Sequence, residues 1–241
     1  MTLETFLDAM AEIGIDGAEL TSYYFPQPVT YGYIRRLARR AFVLGLDIAG
    51  TAVGNTFALP PGAERSRQID LVNRWIEHAV DMGAPCVRVF AGAAPPGIPD
   101  DEARGWVIAC LHTCLQRAEE RGVMLSLENH GGVVATAEGM LQVLNEISSE
   151  WLGVHLDTGN FRTADPYADL ALCAPYALAV HLKTDVVMAD GRAPVDLPRV
   201  VGLLRECGYR GYVNLEYEGA EDPLEAVPRA LRSLMHLTLQ A

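Results

Sequence analysis

The 241 residues predict an α/β fold, a (β/α) barrel of parallel strands spanning 1–241 as one domain. Three observations predict it. Helical and strand-like apolar patterns alternate from one end to the other. Half of the residues are hydrophobic, which suits a sheet buried on both faces. Four late strand-like runs each carry a carboxylate or imidazole at or near their ends, at intervals of roughly thirty residues, about one βα unit.

The elements follow in order. Leu3, Phe6, Leu7, Met10 and Ile13 give helical spacing, with Thr2 as cap and Gly14 as stop. A strand over 15–20 precedes a loop rich in aromatics and proline. A helix over 30–44 ends at Gly45 and leads into a strand over 46–53. Pro60-Pro61-Gly62 opens the loop before a helix over 64–82. The strand 86–90 is followed by Ala94-Pro95-Pro96-Gly97 and a helix over 101–121, stopped by Gly122. The strand 123–128 leads to a helix near 136–147, and a strand ending at Asp157 leads to a helix over 166–173. The strand 178–184 is followed by a loop with Gly191 and a helix near 197–207. Gly208 and Gly211 bracket the turn into the strand 212–216, and a helix near 223–239 closes the series.

This reading contains seven strands, one fewer than a complete barrel of this kind. The chain begins with a helix, so the expectation is a barrel lacking its first strand. Strands 16–20 and 212–216 would then flank a gap, and a homodimer or a plugging loop is expected to cover it.

Composition removes several functions. The net charge of −12 argues against a nucleic-acid partner. No apolar run is long enough to span a bilayer, and no basic-then-apolar leader opens the chain, so a cytoplasmic location is the expectation. Five scattered cysteines fit reduced core thiols rather than a disulfide framework. Cys110 and Cys114 share a helix face, but no second Cys/His pair completes a zinc set.

The chemistry concentrates in four stretches. Leu125-Ser126-Leu127-Glu128-Asn129-His130-Gly131-Gly132 is a buried strand ending in a carboxylate and a Gly-Gly loop. Gly153-Val154-His155-Leu156-Asp157-Thr158-Gly159-Asn160, Ala179-Val180-His181-Leu182-Lys183-Thr184 and Tyr212-Val213-Asn214-Leu215-Glu216-Tyr217-Glu218-Gly219 repeat the design. A barrel gathers strand ends around one axis, so Glu128, Asp157, His181 and Glu216 are expected to bind one divalent metal ion. Three carboxylates and an imidazole suit a hard or borderline divalent ion, magnesium, manganese, cobalt or zinc, and ligand type alone does not choose among them; manganese is the expectation. Alternation along strands places Ser126, His155 and Asn214 in a polar layer below the ligands. Arg88, a charge within an apolar strand, needs these carboxylates as partners and is expected to face substrate or the ligands. His130, in the loop after Glu128, is a candidate substrate contact or a loop hydrogen bond. Glu19 and Asn55 read as structural. Of 19 basic residues only Lys183 is a lysine, two positions beyond His181 on the same face, which supports a functional role for it.

The four motifs, in this order, resemble the xylose isomerase-like TIM barrel superfamily. The similarity runs from Gly14-Ile15-Asp16-Gly17-Ala18-Glu19-Leu20 to the last helix. The superfamily includes tagatose 3-epimerase-type enzymes, hydroxypyruvate isomerase, inosose dehydratase and endonuclease IV. The resemblance implies a metal-dependent isomerase or epimerase of a small sugar or keto-polyol. Glu128 and Glu216 would move protons on opposite substrate faces through a metal-stabilised enediolate, and Lys183 would steady a substrate oxygen. Arg88, His130, Asn160 and Lys183 would contact the substrate. Asn160 stands where the DNA-repair branch has a histidine, a departure that argues against that branch. An inosose dehydratase-like lyase and a barrel that binds metal or sugar without catalysis are the alternatives.

Overall fold

The computed structural model describes residues 1–188 and 191–239. Helix α1 (Leu3–Ile13) starts on a reciprocal cap between Thr2 and Thr5, and Gly14, at φ 83, closes it in the left-handed conformation that only glycine adopts cheaply. Then follow β1 (Gly17–Thr21), α2 (Tyr31–Leu44), β2 (Asp47–Ala52), α3 (Ala63–Met82), β3 (Cys86–Phe90), α4 (Asp100–Arg121) and β4 (Met124–Glu128). Next come α5 (Ala137–Ile147), β5 (Leu152–Asp157), α6 (Pro166–Cys173) and β6 (Ala177–Lys183). A hairpin of β7 (Asp185–Met188) and β8 (Gly191–Pro194) precedes α7 (Leu197–Glu206), β9 (Val213–Glu216) and α8 (Pro223–Leu239). Helix boundaries match the sequence expectation to within a residue, because the capping Thr and stopping Gly residues are visible in the sequence.

Seven strands form one sheet in the order β1-β2-β3-β4-β5-β6-β9, and every pairing is parallel. This is the expected nearly closed α/β barrel of the TIM type. The antiparallel β7–β8 hairpin is a correction, because the sequence reading had only a loop with Gly191 there. The apolar layer between sheet and helices includes Leu7, Leu20, Ile34, Leu37, Ile76, Leu111, Leu125, Leu127, Met140 and Phe161, all fully buried.

The ends of the sheet, β1 and β9, share no backbone ladder. Side chains bridge the seam instead. Tyr212 Oη donates to Asp47 Oδ2, and Asn214 Nδ2 donates to Glu19 Oε2 at 3.1 Å. The backbone at Gly17 lies so close that a Cβ there would come within 3.2 Å of the Tyr212 ring.

Register staggers the functional side chains. Glu128 pairs with His155, Asp157 with His181 and Lys183 with Glu216, so Glu128 stands two residues behind Asp157 along the ladders and Glu216 two residues ahead of His181. Beyond the ends of the ladders, side-chain amides continue the pairing. Asn129 Nδ2 donates to the Asp157 carbonyl at 2.9 Å and its Oδ1 accepts the Asp157 N–H at 2.8 Å. Asn55 does the same for Phe90, at 2.9 and 3.0 Å, so the structural role expected for Asn55 is met.

Asn129→Ala leaves the buried N–H and C=O of Asp157 without these partners, at about 1–3 kcal/mol for each group. Urea denaturation of this variant is expected to show a loss of about 2–6 kcal/mol with an unchanged slope.

Candidate active site

All four expected ligands lie at the same end of the barrel. Glu128, Asp157 and His181 are buried, and one ligand atom from each lies within 4.8 Å of the others. Glu216 stands beside this set rather than in it. Its Oε2 is 3.1 Å from His181 Nδ1 and 2.8 Å from Lys183 Nζ, and its side chain is 37% exposed. The ion pair with Lys183 holds the carboxylate at the rim.

Lys183 Nζ also lies 2.9 Å from Glu218 Oε1 and 3.5 Å from Asp157 Oδ2. Burial opposes its charge, but Asp157, Glu216 and Glu218 outweigh burial and push its pKa up. Gly159 allows the β5 loop to pass against Lys183, since a Cβ there would meet Lys183 Cγ and the Asp185 carbonyl at 2.8 Å each. Thr158 fixes the same crossing, its Oγ1 accepting the Lys183 N–H at 2.9 Å.

Arg88 is buried with its Nε 3.0 Å from Glu128 Oε2 and its guanidinium 3.9 Å above the Phe90 ring. The carboxylate partner expected for Arg88 is therefore Glu128. The other oxygen, Oε1, meets His130 Nδ1 at 2.8 Å and accepts from Asn160 Nδ2 at 3.0 Å. Burial alone would raise the Glu128 pKa, but the His130 contact and Arg88 keep it lowered. His130 and Asn160, expected to contact substrate, sit together over Glu128.

The polar layer below also forms. Ser126 Oγ lies 3.2 Å from His155 Nδ1, and the His155 and His181 rings meet edge-on at 4.0 Å. His155 is fully buried. Burial and the neighbouring His181 charge depress its pKa to about 4, so it is neutral at pH 7.

Glu19, which the sequence reads as structural, forms a second close group with His155 and His181. Its Oε1 is 3.2 Å from His181 Nε2, and its Oε2 is 3.7 Å from His155 Nε2. Burial opposes its charge, yet His155, His181 and Arg88 hold its pKa down at about 2. A usable signal was present. A barrel strand has no solvent face, so a glutamate between buried Ala18 and Leu20 must point into the lumen.

The donor set fits a divalent cation. Asp157 Oδ2 and His155 Nε2 are buried and make no hydrogen bond, while Glu216 Oε2 and His181 Nδ1 face each other at 3.1 Å. One ligand atom from each of Glu128, Asp157 and His181 lies within 4.8 Å of the others, and carboxylate and imidazole donors gathered at that range are suited to a divalent metal. Cys110 and Cys114 belong to neither group of ligand atoms among the described residues and are buried core thiols.

The family profile described as xylose isomerase-like TIM barrel matches residues 7–236. A rhizopine catabolism protein of Rhizobium meliloti is 28% identical over 151 residues, covering 52% of this chain and 45% of that protein. The chain spans about half the length of the curated relatives it matches, 60% and 45%. An L-ribulose 3-epimerase superposes with a TM-score of 0.81 at 22% identity, over 99% of this chain and 90% of that one. A 3-keto-D-glucoside 4-epimerase from E. coli also gives 0.81, at 19% identity, over 98% and 94%. At these identities the likeness is one of fold.

His155 gives a pH test. Its folded pKa of about 4 lies below the ordinary histidine value of 6.5. The unfolded chain therefore binds the proton first as pH falls, and stability is lost between about 6.5 and 4. In urea melts across that window, His155→Gln is expected to show a shallower decline than the parent protein.

Proposed function

Since this chain belongs to the xylose isomerase-like TIM barrel family, we propose that it is a divalent-metal-dependent isomerase or epimerase of a small sugar or keto-polyol. The observation that carries the proposal is the cluster of Glu128, Asp157 and His181, whose ligand atoms lie within 4.8 Å of one another at the mouth of the barrel. Glu128, Asp157 and His181 would hold the cation, with Glu216 as the fourth ligand on the open side. When bound there, a divalent ion supplies Lewis-acid stabilisation of charge building on a carbonyl oxygen.

The protein side chains divide the remaining work. Glu128 is buried and kept ionised by Arg88 and His130, which suits a base that must hold its charge until it takes a carbon-bound proton. Glu216 is partly exposed on a different strand, where it can serve the opposite face of a bound polyol. Return of the proton to the opposite face of the same carbon gives an epimer. Return to the neighbouring carbon gives an aldose–ketose isomer. His130 and Asn160 lie against Glu128 and offer hydrogen bonds to hydroxyls near it. Lys183 fixes Glu216 and offers a positive charge to a substrate oxygen. The two similar structures are sugar epimerases, which agrees with this reading.

The test is a panel of ketoses, keto-glycosides and keto-inositols incubated with manganese in deuterated water. Solvent deuterium is expected in recovered sugar. Glu128→Gln and Glu216→Gln are each expected to keep the fold and lose at least about 100-fold in exchange, within the usual range for a general acid or base. Full exchange in Glu216→Gln would remove that residue from proton transfer. A new enone or diketone absorbance would mark a lyase instead. No exchange with any polyol would mark a barrel that only binds.

A further inference from the structure

The first strand contributes a carboxylate that the proposed cation set does not use. Glu19 is buried at the base of that set and is held on two sides. Its Oε2 accepts from Asn214 Nδ2 at 3.1 Å, across the seam of the barrel. Its Oε1 lies 3.2 Å from His181 Nε2, a contact between residues 162 apart in sequence. The His181 ring has little freedom to turn away, because the His155 ring packs edge-on against it at 4.0 Å and is itself tied to Ser126.

A histidine presents two nitrogens, and the one that carries the proton fixes the one that can bind a metal. A carboxylate against one nitrogen holds the proton there and raises the basicity of the other. His181 Nδ1 faces Glu216 Oε2 at 3.1 Å, so each ring nitrogen meets a carboxylate, and of the two only Glu216 is itself a proposed cation ligand. We propose that Glu19 is the positioning residue for His181. Its Oε1 accepts the Nε2 proton, so Nδ1 is the nitrogen offered to the cation. Asn214 is the anchor that keeps Glu19 in line, which makes the side-chain closure of the barrel and the aim of a metal ligand one network. In its cation arm this inference rests on the function proposed above.

The test combines affinity with a direct view of the ring. In long-range proton–nitrogen NMR spectra, His181 Nε2 is expected to carry a proton in both the metal-free and the zinc-loaded protein. In calorimetric titrations, Glu19→Ala is expected to weaken manganese binding about 10- to 100-fold. Glu19→Gln, which keeps a carbonyl acceptor, is expected to recover part of that loss. A bare Nε2 with the proton on Nδ1 would overturn the proposal, as would unchanged manganese affinity in Glu19→Ala. A second manganese equivalent that disappears with Glu19 would also overturn it, because Glu19, His155 and His181 would then be ligands themselves. If Glu19→Ala does not fold, the Glu19→Gln titration and the spectra of the parent protein still decide. If the parent protein takes up neither manganese nor zinc, the cation reading fails, while the metal-free spectrum still reports whether Glu19 holds the Nε2 proton.

Discussion

Glu128 and Asp157 are buried in the barrel and the Glu19 side chain is only 6% exposed, with Glu216 and Glu218 close behind at the rim. Arg88 and Lys183 offset only part of that charge. An unpaired buried carboxylate is too costly to persist, so the remaining imbalance is met by protons. Burial, reinforced by Glu128 and Glu216, pushes the Asp157 pKa up against the pull of Lys183. Burial works against a charged His181, but Glu19 and Glu216 raise its pKa to about 10. Both groups are ligand types that must shed a proton to bind a metal. The same surplus of negative charge that makes the apo site proton-hungry therefore gives a divalent cation a place to discharge it.

One member of this cluster also takes part in closing the barrel. A seven-stranded parallel sheet leaves unpaired edges on β1 and β9, and edges are normally covered, paired or charged. Here the two edges are joined by polar side chains. Tyr212 reaches Asp47 at the lower end, and Asn214 reaches Glu19 within the site. The second of these is part of the charge cluster. Closure of the cylinder and the chemistry at its mouth thus share an interaction, and a change at either place is felt at the other.

Much of this was legible in the sequence. Parallel topology follows from strict helix–strand alternation, and the four carboxylate- or imidazole-bearing strand ends could be aligned because they recur once per βα unit. Arg88 as a partner for a mouth carboxylate followed from the cost of burying it alone. Two features were harder to read. The β7–β8 hairpin is marked only by Val186, Val187 and Met188, because β8 is mostly exposed and shows no apolar run to set against them. Glu19 looked like an ordinary polar residue alternating with apolar ones, and its partners His155, His181 and Asn214 are far along the chain. Convergence over such separations is a property of the closed barrel and has no local trace.

The single lysine is the clearest case of composition yielding to geometry. Everywhere else a cation is needed, this sequence uses arginine. Arginine is a planar fork that grips a carboxylate with donors in fixed directions, as in the pairs Arg40–Asp8 and Arg229–Glu221. At residue 183 three carboxylates approach one point from three strand ends or loops, with distances of 2.8, 2.9 and 3.5 Å to a single nitrogen. A compact ammonium with three rotating donors satisfies that arrangement. The Lys183 stem runs close beside the β5 loop, where a Cβ at Gly159 would come within 2.8 Å of its Cγ. The bias toward arginine therefore stops where one nitrogen serves three carboxylates, and that position lies between the proposed cation ligand Asp157 and the rim glutamate that faces it.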